Sequence, residues 1–246
     1  MPRHLRSILY HSTPKRLFNL ALVEAERQLG LTKIKGHPYV IFVDPVNLCN
    51  LKCPLCATGM GEIARVKKRM DYEHFKHAID QVSDWAYEVS LYNWGEPLLH
   101  KDIFDMIAYA RSKRLATLMS SNLSVHKQGL MDRILESGLD ELTVSIDGVT
   151  QEVYEKYRVG GNLDLVLRNL EYLMNRRQQL GLKTPYVEWQ FITFKHNEHE
   201  IEGARKLAHE TGVDMLRFIP PGLPFDAEEQ RKRDLGKEWF LSLIHI

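Results

Sequence analysis

The feature that most constrains this chain is one short stretch, residues 44–60, that holds all three of its cysteines. The stretch reads DPVNLCNLKCPLCATGM and places Cys49, Cys53 and Cys56 within eight residues. An odd number of cysteines cannot close a set of disulfides, and a bridge across so short a loop would be strained. Three thiolates on one loop can instead hold an inorganic cluster. If they hold four irons, one iron keeps an open position for a small molecule.

A zinc site is the alternative for the same cysteines. Zinc usually takes four ligands, often from two Cys-x-x-Cys pairs or from one such pair with two histidines. The second pair is missing here, and His100, which could be recruited, lies far along the chain. The spacing therefore favours a cluster over zinc.

Length and composition are those of a globular protein with one large α/β domain or two small ones. The 246 residues are 44% hydrophobic and 26% charged, and the formal net charge is +1. This charge gives no reason to expect nucleic acid or an acidic membrane surface as a partner. No run of about 18 apolar residues occurs, so no membrane span is predicted. Clustered, reduced cysteines without a secretory signal predict a cytoplasmic location.

From residue 38 onward, segments typical of strands alternate with segments of helical periodicity. Strands are predicted at 39–43, 88–92, 116–120, 141–145, 186–194 and 214–219, the first of them buried, and helices at 71–84, 101–113, 126–137, 162–179 and 198–211. The alternation predicts a parallel sheet, either a partial (β/α)6 barrel or a doubly wound sheet. Barrels carry their chemistry at the C-terminal ends of strands. Five residues of interest directly follow strands, which favours the partial TIM-like barrel: Cys49, Gly95, Asn122, Asp147 and Lys195.

The N-terminal region predicts one helix over 13–30, capped by Thr13 and stopped by Gly30. Helical periodicity places Leu17, Leu20, Ala21 and Ala25 on the buried face of this helix and leaves Arg16, Glu24 and Arg27 more exposed. The preferred interpretation is a helix packed on the end of the main domain. A membrane-surface or partner-docking helix is the alternative, disfavoured because the charges are mixed in sign.

The sequence Cys-Asn-Leu-Lys-Cys-Pro-Leu-Cys after a hydrophobic strand resembles the signature of the radical S-adenosylmethionine (SAM) superfamily, and the chain resembles its SPASM/twitch-type subgroup. The resemblance covers residues 40–219. It implies a partial barrel with a [4Fe-4S] cluster ligated by Cys49, Cys53 and Cys56. It also implies an enzyme that cleaves SAM reductively to a 5′-deoxyadenosyl radical, which abstracts hydrogen from a substrate.

Two further motifs follow the second and third predicted strands. The segment 93–99, NWGEPLL, resembles the Gly-Gly-Glu-Pro motif of the family with Trp94 in place of its first glycine, and this implies that Gly95 and Glu96 receive the amino group of SAM. Physically, Gly95 would let the backbone approach a ligand closely. The segment 120–124, SSNLS, resembles a family turn that implies ribose contacts from Ser120 or Asn122. Ordinary turn chemistry also explains these residue types.

The fourth strand ends in Val144-Ser-Ile-Asp-Gly148, which resembles the Ser-x-Asp-Gly motif of the family. The resemblance implies that Ser145 faces the SAM carboxylate or ribose and that Asp147 holds the turn or the ligand. It also implies that Arg158 pairs with the SAM carboxylate, a geometry that suits a guanidinium. A surface charge is the alternative for Arg158.

Polar residues also occur in and after the fifth predicted strand. Alternation puts Glu188, Gln190 and Ile192 on one face, so Glu188 and Gln190 are candidates for SAM or substrate contact. Exposure at a sheet edge is the alternative for both. Asn197 is expected to cap the next helix.

Three regions are expected: a helical extension over 1–37, the core barrel over 38–222, and a segment over 223–246 that begins a truncated region. Apolar residues among 239–244 would then be stranded. The resemblance implies a small-molecule or peptide substrate and an electron donor such as flavodoxin or ferredoxin. A non-catalytic iron–sulfur electron carrier or redox sensor and a zinc-stabilised binding module are the alternatives.

Overall fold

The strands form one parallel sheet in sequence order. The computed structural model describes residues 11–62, 66–222 and 229–240, without the side chains of 229–233. The strands are β1 (Val40–Phe42), β2 (Glu88–Ser90), β3 (Ala116–Ser121), β4 (Glu141–Ser145), β5 (Tyr186–Ile192) and β6 (Met215–Ile219). Each pairs in parallel with the next, in the order β1-β2-β3-β4-β5-β6. A doubly wound sheet reverses its order at a switch point. The uniform order confirms the partial barrel.

Most of the helices connect consecutive strands and pack on one face of the sheet. The helices are α1 (Pro14–Gln28), α2 (Ala57–Met60), α3 (Tyr72–Val82), α4 (Ile103–Ser112), α5 (Leu130–Ser137), α6 (Gln151–Tyr157), α7 (Leu163–Gln179), α8 (Ile201–Thr211) and α9 (Glu229–Trp239). Two 3-10 turns, Pro97–Leu99 and Glu198–Glu200, precede α4 and α8. The sequence does not predict α2, α6 or α9, because α2 and α6 are too short for a periodic pattern and α9 is mostly charged. Within the described part of the chain, no helix combines the length and hydrophobicity that a bilayer crossing requires.

Alternation along the strands gives the sheet one apolar face and one polar face. Val89, Met119, Val144 and Trp189 belong to the core that the helices cover. Their neighbours along each strand therefore lie on the opposite face, which we call the cavity face. The polar residues on it include Ser90, Ser120, Ser145 and Gln190, on β2 to β5. The polar positions that the sequence analysis marks on three strands thus share one face.

Two burial predictions are wrong in the first half of the sheet. The first strand was expected to be buried, but Phe42 is 66% exposed, because β1 is an edge strand with a single neighbour. On α4, helical spacing in the sequence predicts an inward face of Ile103, Phe104, Ile107 and Ala108, but Ala108 is exposed, while Met106 and Ala110 are buried. The apolar face of α4 is therefore rotated toward Met106.

The predicted faces of α1 are wrong for Arg16, Leu17, Ala21 and Ala25, whereas Arg27 is exposed as predicted and Leu20 is half-buried. Arg16 is 2% exposed, whereas Leu17 and Phe18 are 48% and 69% exposed. The Arg16 guanidinium donates to the carbonyl oxygens of Ser83, at 2.6 Å, and Lys113, at 3.0 Å. These are the C-cap residues of α3 and α4, whose carbonyls lack partners within their own helices and favour a cation. Arg16 is buried because it satisfies two helix ends.

Candidate functional site

The cysteine loop, residues 44–60, follows β1 and is fixed by backbone hydrogen bonds from three other segments. The bonds run from Met70 N–H to Pro45 O at 2.8 Å, from Glu96 N–H to Leu48 O at 2.8 Å, and from Lys52 N–H to Val159 O at 2.9 Å. None of them involves a thiol. The path of the loop is therefore set by the surrounding chain.

Two glycines allow this close packing. A Cβ on Gly95 would lie 1.7 Å from the carbonyl oxygen of Val46, and a Cβ on Gly59 would lie 2.5 Å from the nitrogen of Cys53. A side chain at either position would overlap the backbone of the cysteine loop. The sequence analysis expects Gly95 to let a ligand approach, but the group that approaches it here is the chain's own loop. Contact between Gly95 and SAM stays a prediction.

The three cysteines are free thiols in apolar surroundings. Cys53 is buried, and Cys49 and Cys56 are partly exposed, packed with Leu51 and Leu55. Burial raises the pKa of Cys49 to about 11 and also raises the pKa of Cys53. A metal would replace these protons on binding. Three thiols on one anchored loop, in a chain with no fourth cysteine, fit a cluster that leaves one iron open.

The same region does not form a single-ion site. Among the described residues, no three His, Cys, Asp or Glu side chains converge on one metal position. His100 already uses both ring nitrogens, with Nε2 2.9 Å from Met70 O and Nδ1 3.1 Å from the N–H of Asp102. Cysteines that bind a cubane each bind a different iron, so they need not converge on one point. The arrangement fits a cluster better than zinc.

Glu96 connects the loops that follow β2 and β3. Its side chain is 2% exposed. Oε1 accepts from Ser121 Oγ at 2.8 Å and from the N–H of Leu98 at 3.1 Å, and Oε2 accepts from the N–H of Asn122 at 2.8 Å. Burial raises the pKa of Glu96, and these hydrogen bonds oppose that shift. Asn122 then reaches the cysteine loop, with Nδ2 3.8 Å from Cys49 Sγ. Glu96 and Asn122 therefore lie beside the thiols.

Asp147 and Arg158 form a buried ion pair. Arg158 Nε donates to Asp147 Oδ2 at 2.5 Å, and their side chains are 12% and 0% exposed. Burial alone would lower the pKa of Arg158, but the Asp147 carboxylate raises it, with a net upward shift. Asp147 Oδ1 also accepts from the N–H of Ile192 at 2.6 Å. Arg158 is thus not a surface charge, and Asp147 does hold the turn after β4.

Asn197 has a different role from the helix cap that the sequence predicts. It is fully buried, and its side chain makes no capping hydrogen bond to the turn that follows. Instead Oδ1 accepts from the N–H of Phe194 at 2.7 Å, and Nδ2 donates to the carbonyl oxygens of Asp147 and Ile192, both at 2.9 Å. Asn197 therefore hydrogen-bonds to residues earlier in the chain, at the ends of β4 and β5, and fixes the turn that carries Asp147.

A polar group on the cavity face involves one residue that the sequence analysis misses, Arg217. Arg217 Nη2 donates to Glu188 Oε1 at 2.5 Å and to Gln190 Oε1 at 3.0 Å. Glu188 is 4% exposed, so simple exposure at a sheet edge is wrong for it. A charged residue inside β6 is the sequence signal that could have identified Arg217. Ser145 is buried and Ser120 is partly exposed on the same face.

Helix α9 covers the cysteine loop with an aromatic side chain. Trp239 was expected to be stranded, but it is 8% exposed and packs in one cluster with Cys53. Its ring centroid lies 5.8 Å from that of Tyr157 and 5.4 Å from that of Phe194. The other apolar residues of that prediction, apart from the partly exposed Phe240, lie outside the described residues.

Comparison with known proteins places this loop in a known context. The sequence model of the radical SAM superfamily matches residues 43–179. The chain is 29% identical to Fe-coproporphyrin III synthase of Methanosarcina barkeri (75% of this chain, 44% of the relative) and 24% identical to AdoMet-dependent heme synthase of the same organism (79% and 55%). The structure of Streptococcus suis SuiB bound to S-adenosylmethionine matches with a TM-score of 0.66 and 14% sequence identity, over 89% of this chain and 50% of SuiB. The structure of SuiB bound to precursor peptide SuiA matches with a TM-score of 0.65. The chain spans about half the length of these proteins and shares the fold of SuiB.

Proposed function

Because the chain belongs to the radical SAM superfamily, we propose that it is an enzyme that binds a [4Fe-4S] cluster and SAM. The observation that supports this most is the position of its three cysteines. They lie on one anchored loop after β1, beside the loops that follow β2 and β3. When bound, the cluster supplies the electron that cleaves SAM to methionine and a 5′-deoxyadenosyl radical, which takes a hydrogen atom from the substrate.

The proposed cluster ligands are Cys49, Cys53 and Cys56. Leu51, Leu55 and buried aromatic rings pack around them and limit their exposure to water, which is one of the properties that tune a cluster. Asn122 Nδ2 and the N–H of Leu51 lie 3.8 Å and 3.4 Å from Cys49 Sγ. Donors to sulfur stabilise the electron-rich form of a cluster.

The proposed SAM contacts lie at the C-terminal ends of β2 to β5 and on the cavity face. Glu96 is held in one position by three hydrogen bonds, which pre-organise the carboxylate proposed to receive the amino group of SAM. Arg158 uses Nε for Asp147, and its other N–H groups can donate to the SAM carboxylate. The full proposed set is Gly95, Glu96, Ser120, Asn122, Ser145, Asp147, Arg158 and Gln190.

The organisation and partners of the chain are part of the same proposal. In this proposal, residues 38–222 form the catalytic core of a SPASM/twitch-type enzyme, and α1 lies in a helical extension that precedes the core. An electron donor such as flavodoxin or ferredoxin reduces the cluster, in the reducing cytoplasm. The relatives are named for heme and iron coproporphyrin, and SuiB binds a precursor peptide. The proposed substrate is accordingly a small molecule or a peptide.

Anaerobic reconstitution followed by incubation with SAM and a reductant tests the function. We expect about four irons and about four sulfides per chain, and 5′-deoxyadenosine after reduction. Cys49→Ala, Cys53→Ala and Cys56→Ala should each lose both results, because the chain has no spare cysteine. A stable cluster with no 5′-deoxyadenosine would support an electron carrier instead. Stoichiometric zinc without sulfide would support a binding module.

A further inference from the structure

The N-terminal helix α1 carries large apolar side chains on its outer side. Leu17, Phe18 and Leu29 are 48%, 69% and 72% exposed, and Ala21 and Ala25 between them are also exposed. Their spacing places them along one side of the helix. The chain that follows adds two more exposed apolar residues, Leu31 and Ile34, at 49% and 68%. We call these seven residues the α1 apolar surface.

The orientation of α1 is fixed by the polar residues on its other side. Asn19 pairs with the backbone of His37, accepting its N–H at 2.8 Å and donating to its carbonyl oxygen at 2.9 Å. The Glu26 carboxylate accepts the N–H groups of Lys35 at 2.7 Å and Gly36 at 3.1 Å. With the Arg16 contacts, these bonds would all break if the helix turned to bury its apolar side. The outward apolar surface is therefore a specified feature of the fold.

The free charge beside this surface has one sign. Between residues 11 and 37 the chain has two carboxylates, Glu24 and Glu26. Glu24 pairs with Arg27 at 2.8 Å, and Glu26 is used by backbone N–H groups. Lys33 and Lys35, by contrast, are exposed on either side of Ile34. In the sequence, the mixed signs of charge argue against membrane contact. In the fold, however, the two carboxylates are already paired, and the positive charges of Lys33 and Lys35 remain.

We propose that α1 and the turn after it bind the surface of an anionic lipid bilayer. Side chains such as Phe18 and Leu29 would enter the boundary between headgroups and acyl chains, and Lys33 and Lys35 would meet lipid phosphates. A helix with exposed apolar residues along one side and lysines beside them suits the interface plane of a bilayer. A second copy of the chain on this surface would bring the lysines of both copies together. The proposal goes beyond the proposed function and does not depend on the cluster.

The test is flotation of the full chain with vesicles of phosphatidylcholine alone or mixed with phosphatidylglycerol. We expect flotation with the mixed vesicles, weakened by high salt. Phe18→Glu is expected to reduce partition by about tenfold or more, and Lys33→Glu with Lys35→Glu to remove the preference for phosphatidylglycerol. Leu180→Glu, at a residue that is also 48% exposed but lies at the end of α7, is the matched control and should float like the parent chain.

Three results would overturn the proposal. They are flotation with neither vesicle, equal flotation after Phe18→Glu, and a dimer in size exclusion with light scattering that Phe18→Glu dissociates. The third result would assign the surface to a second copy. An unchanged urea midpoint in each variant shows that the fold is intact, as expected for substitutions at exposed positions.

Discussion

Replacing Gly95 with alanine tests whether packing against the cysteine loop is as tight as described. The new Cβ would lie 1.7 Å from the carbonyl oxygen of Val46 and 3.1 Å from that of Leu48. Restoring even a 3.0 Å separation requires a backbone shift of at least about 1.3 Å. Gly95 is not among the residues with positive φ, so the expected cost comes from space and not from backbone strain.

The expected loss of stability in Gly95→Ala is the sum of an overpacking cost and the cost of a lost hydrogen bond. Overpacking of a tight interior costs about 1–3 kcal/mol. The shift also breaks the bond from Glu96 N–H to Leu48 O, 2.8 Å long, at about 1 kcal/mol. We therefore expect the free energy of unfolding to fall by about 2–4 kcal/mol, and Tm by about 5–15 °C for a chain of this length.

The assay is urea unfolding of the metal-free chain, followed by iron loading of the folded protein. Gly222→Ala is the matched control, because a Cβ on Gly222 meets nothing within 4 Å, and it should change the unfolding free energy by less than about 0.5 kcal/mol. Gly95→Ala should also load less iron, because the displaced carbonyl belongs to the loop that carries the thiols. Stability and iron content equal to those of Gly222→Ala would refute the reasoning.

Three further substitutions probe the groups around the loop. Asn197→Ala removes three buried hydrogen bonds and should lower the free energy of unfolding in urea by about 2–4 kcal/mol. The control Asn93→Ala, at an exposed position, should change this free energy little. Equal effects of the two substitutions would contradict the role of Asn197. Trp239→Ala should cost about 3–5 kcal/mol and speed the reaction of the thiols with a thiol reagent, and an unchanged rate would mean that Trp239 does not shield them. Arg158→Ala leaves Asp147 buried without its partner, which should lower the free energy of unfolding by about 3–5 kcal/mol. The same variant should bind SAM more weakly by about 1.5–3 kcal/mol in calorimetric titration. Adding Asp147→Asn should restore part of the stability but not the affinity for SAM.

Local signals in the sequence predicted the elements well. Asp71 caps α3 by accepting the N–H groups of Glu73 and His74, and Gly138 and Gly212 end α5 and α8 with left-handed backbones. These features depend on neighbours within a few residues, so the sequence contains them directly. The position of the cysteines after β1 follows from the same kind of local pattern.

Errors arose where a contact joins residues that are distant in the sequence. The buried face of α1 depends on carbonyls 67 and 97 residues away from Arg16, and apolarity alone gave the opposite face. Asn197 has the residue type of a cap, but its amide binds a carbonyl 50 residues earlier. The close approach of the cysteine loop to Gly95 was not predicted either, because the sequence does not show that the loop passes over it; contact between Gly95 and SAM stays a prediction. Long-range hydrogen bonds and close approaches have no periodic signature.

The backbone anchors of the cysteine loop have a consequence for how the protein is made. The three bonds to Pro45, Leu48 and Lys52 engage main-chain groups and leave the thiols free. These bonds offset part of the entropy cost of ordering the loop without any contribution from the thiols. We therefore expect the polypeptide to fold before iron and inorganic sulfide bind, the reverse of a zinc finger. A chelator should strip such a protein of its colour and leave its circular dichroism spectrum unchanged, ready for a second loading.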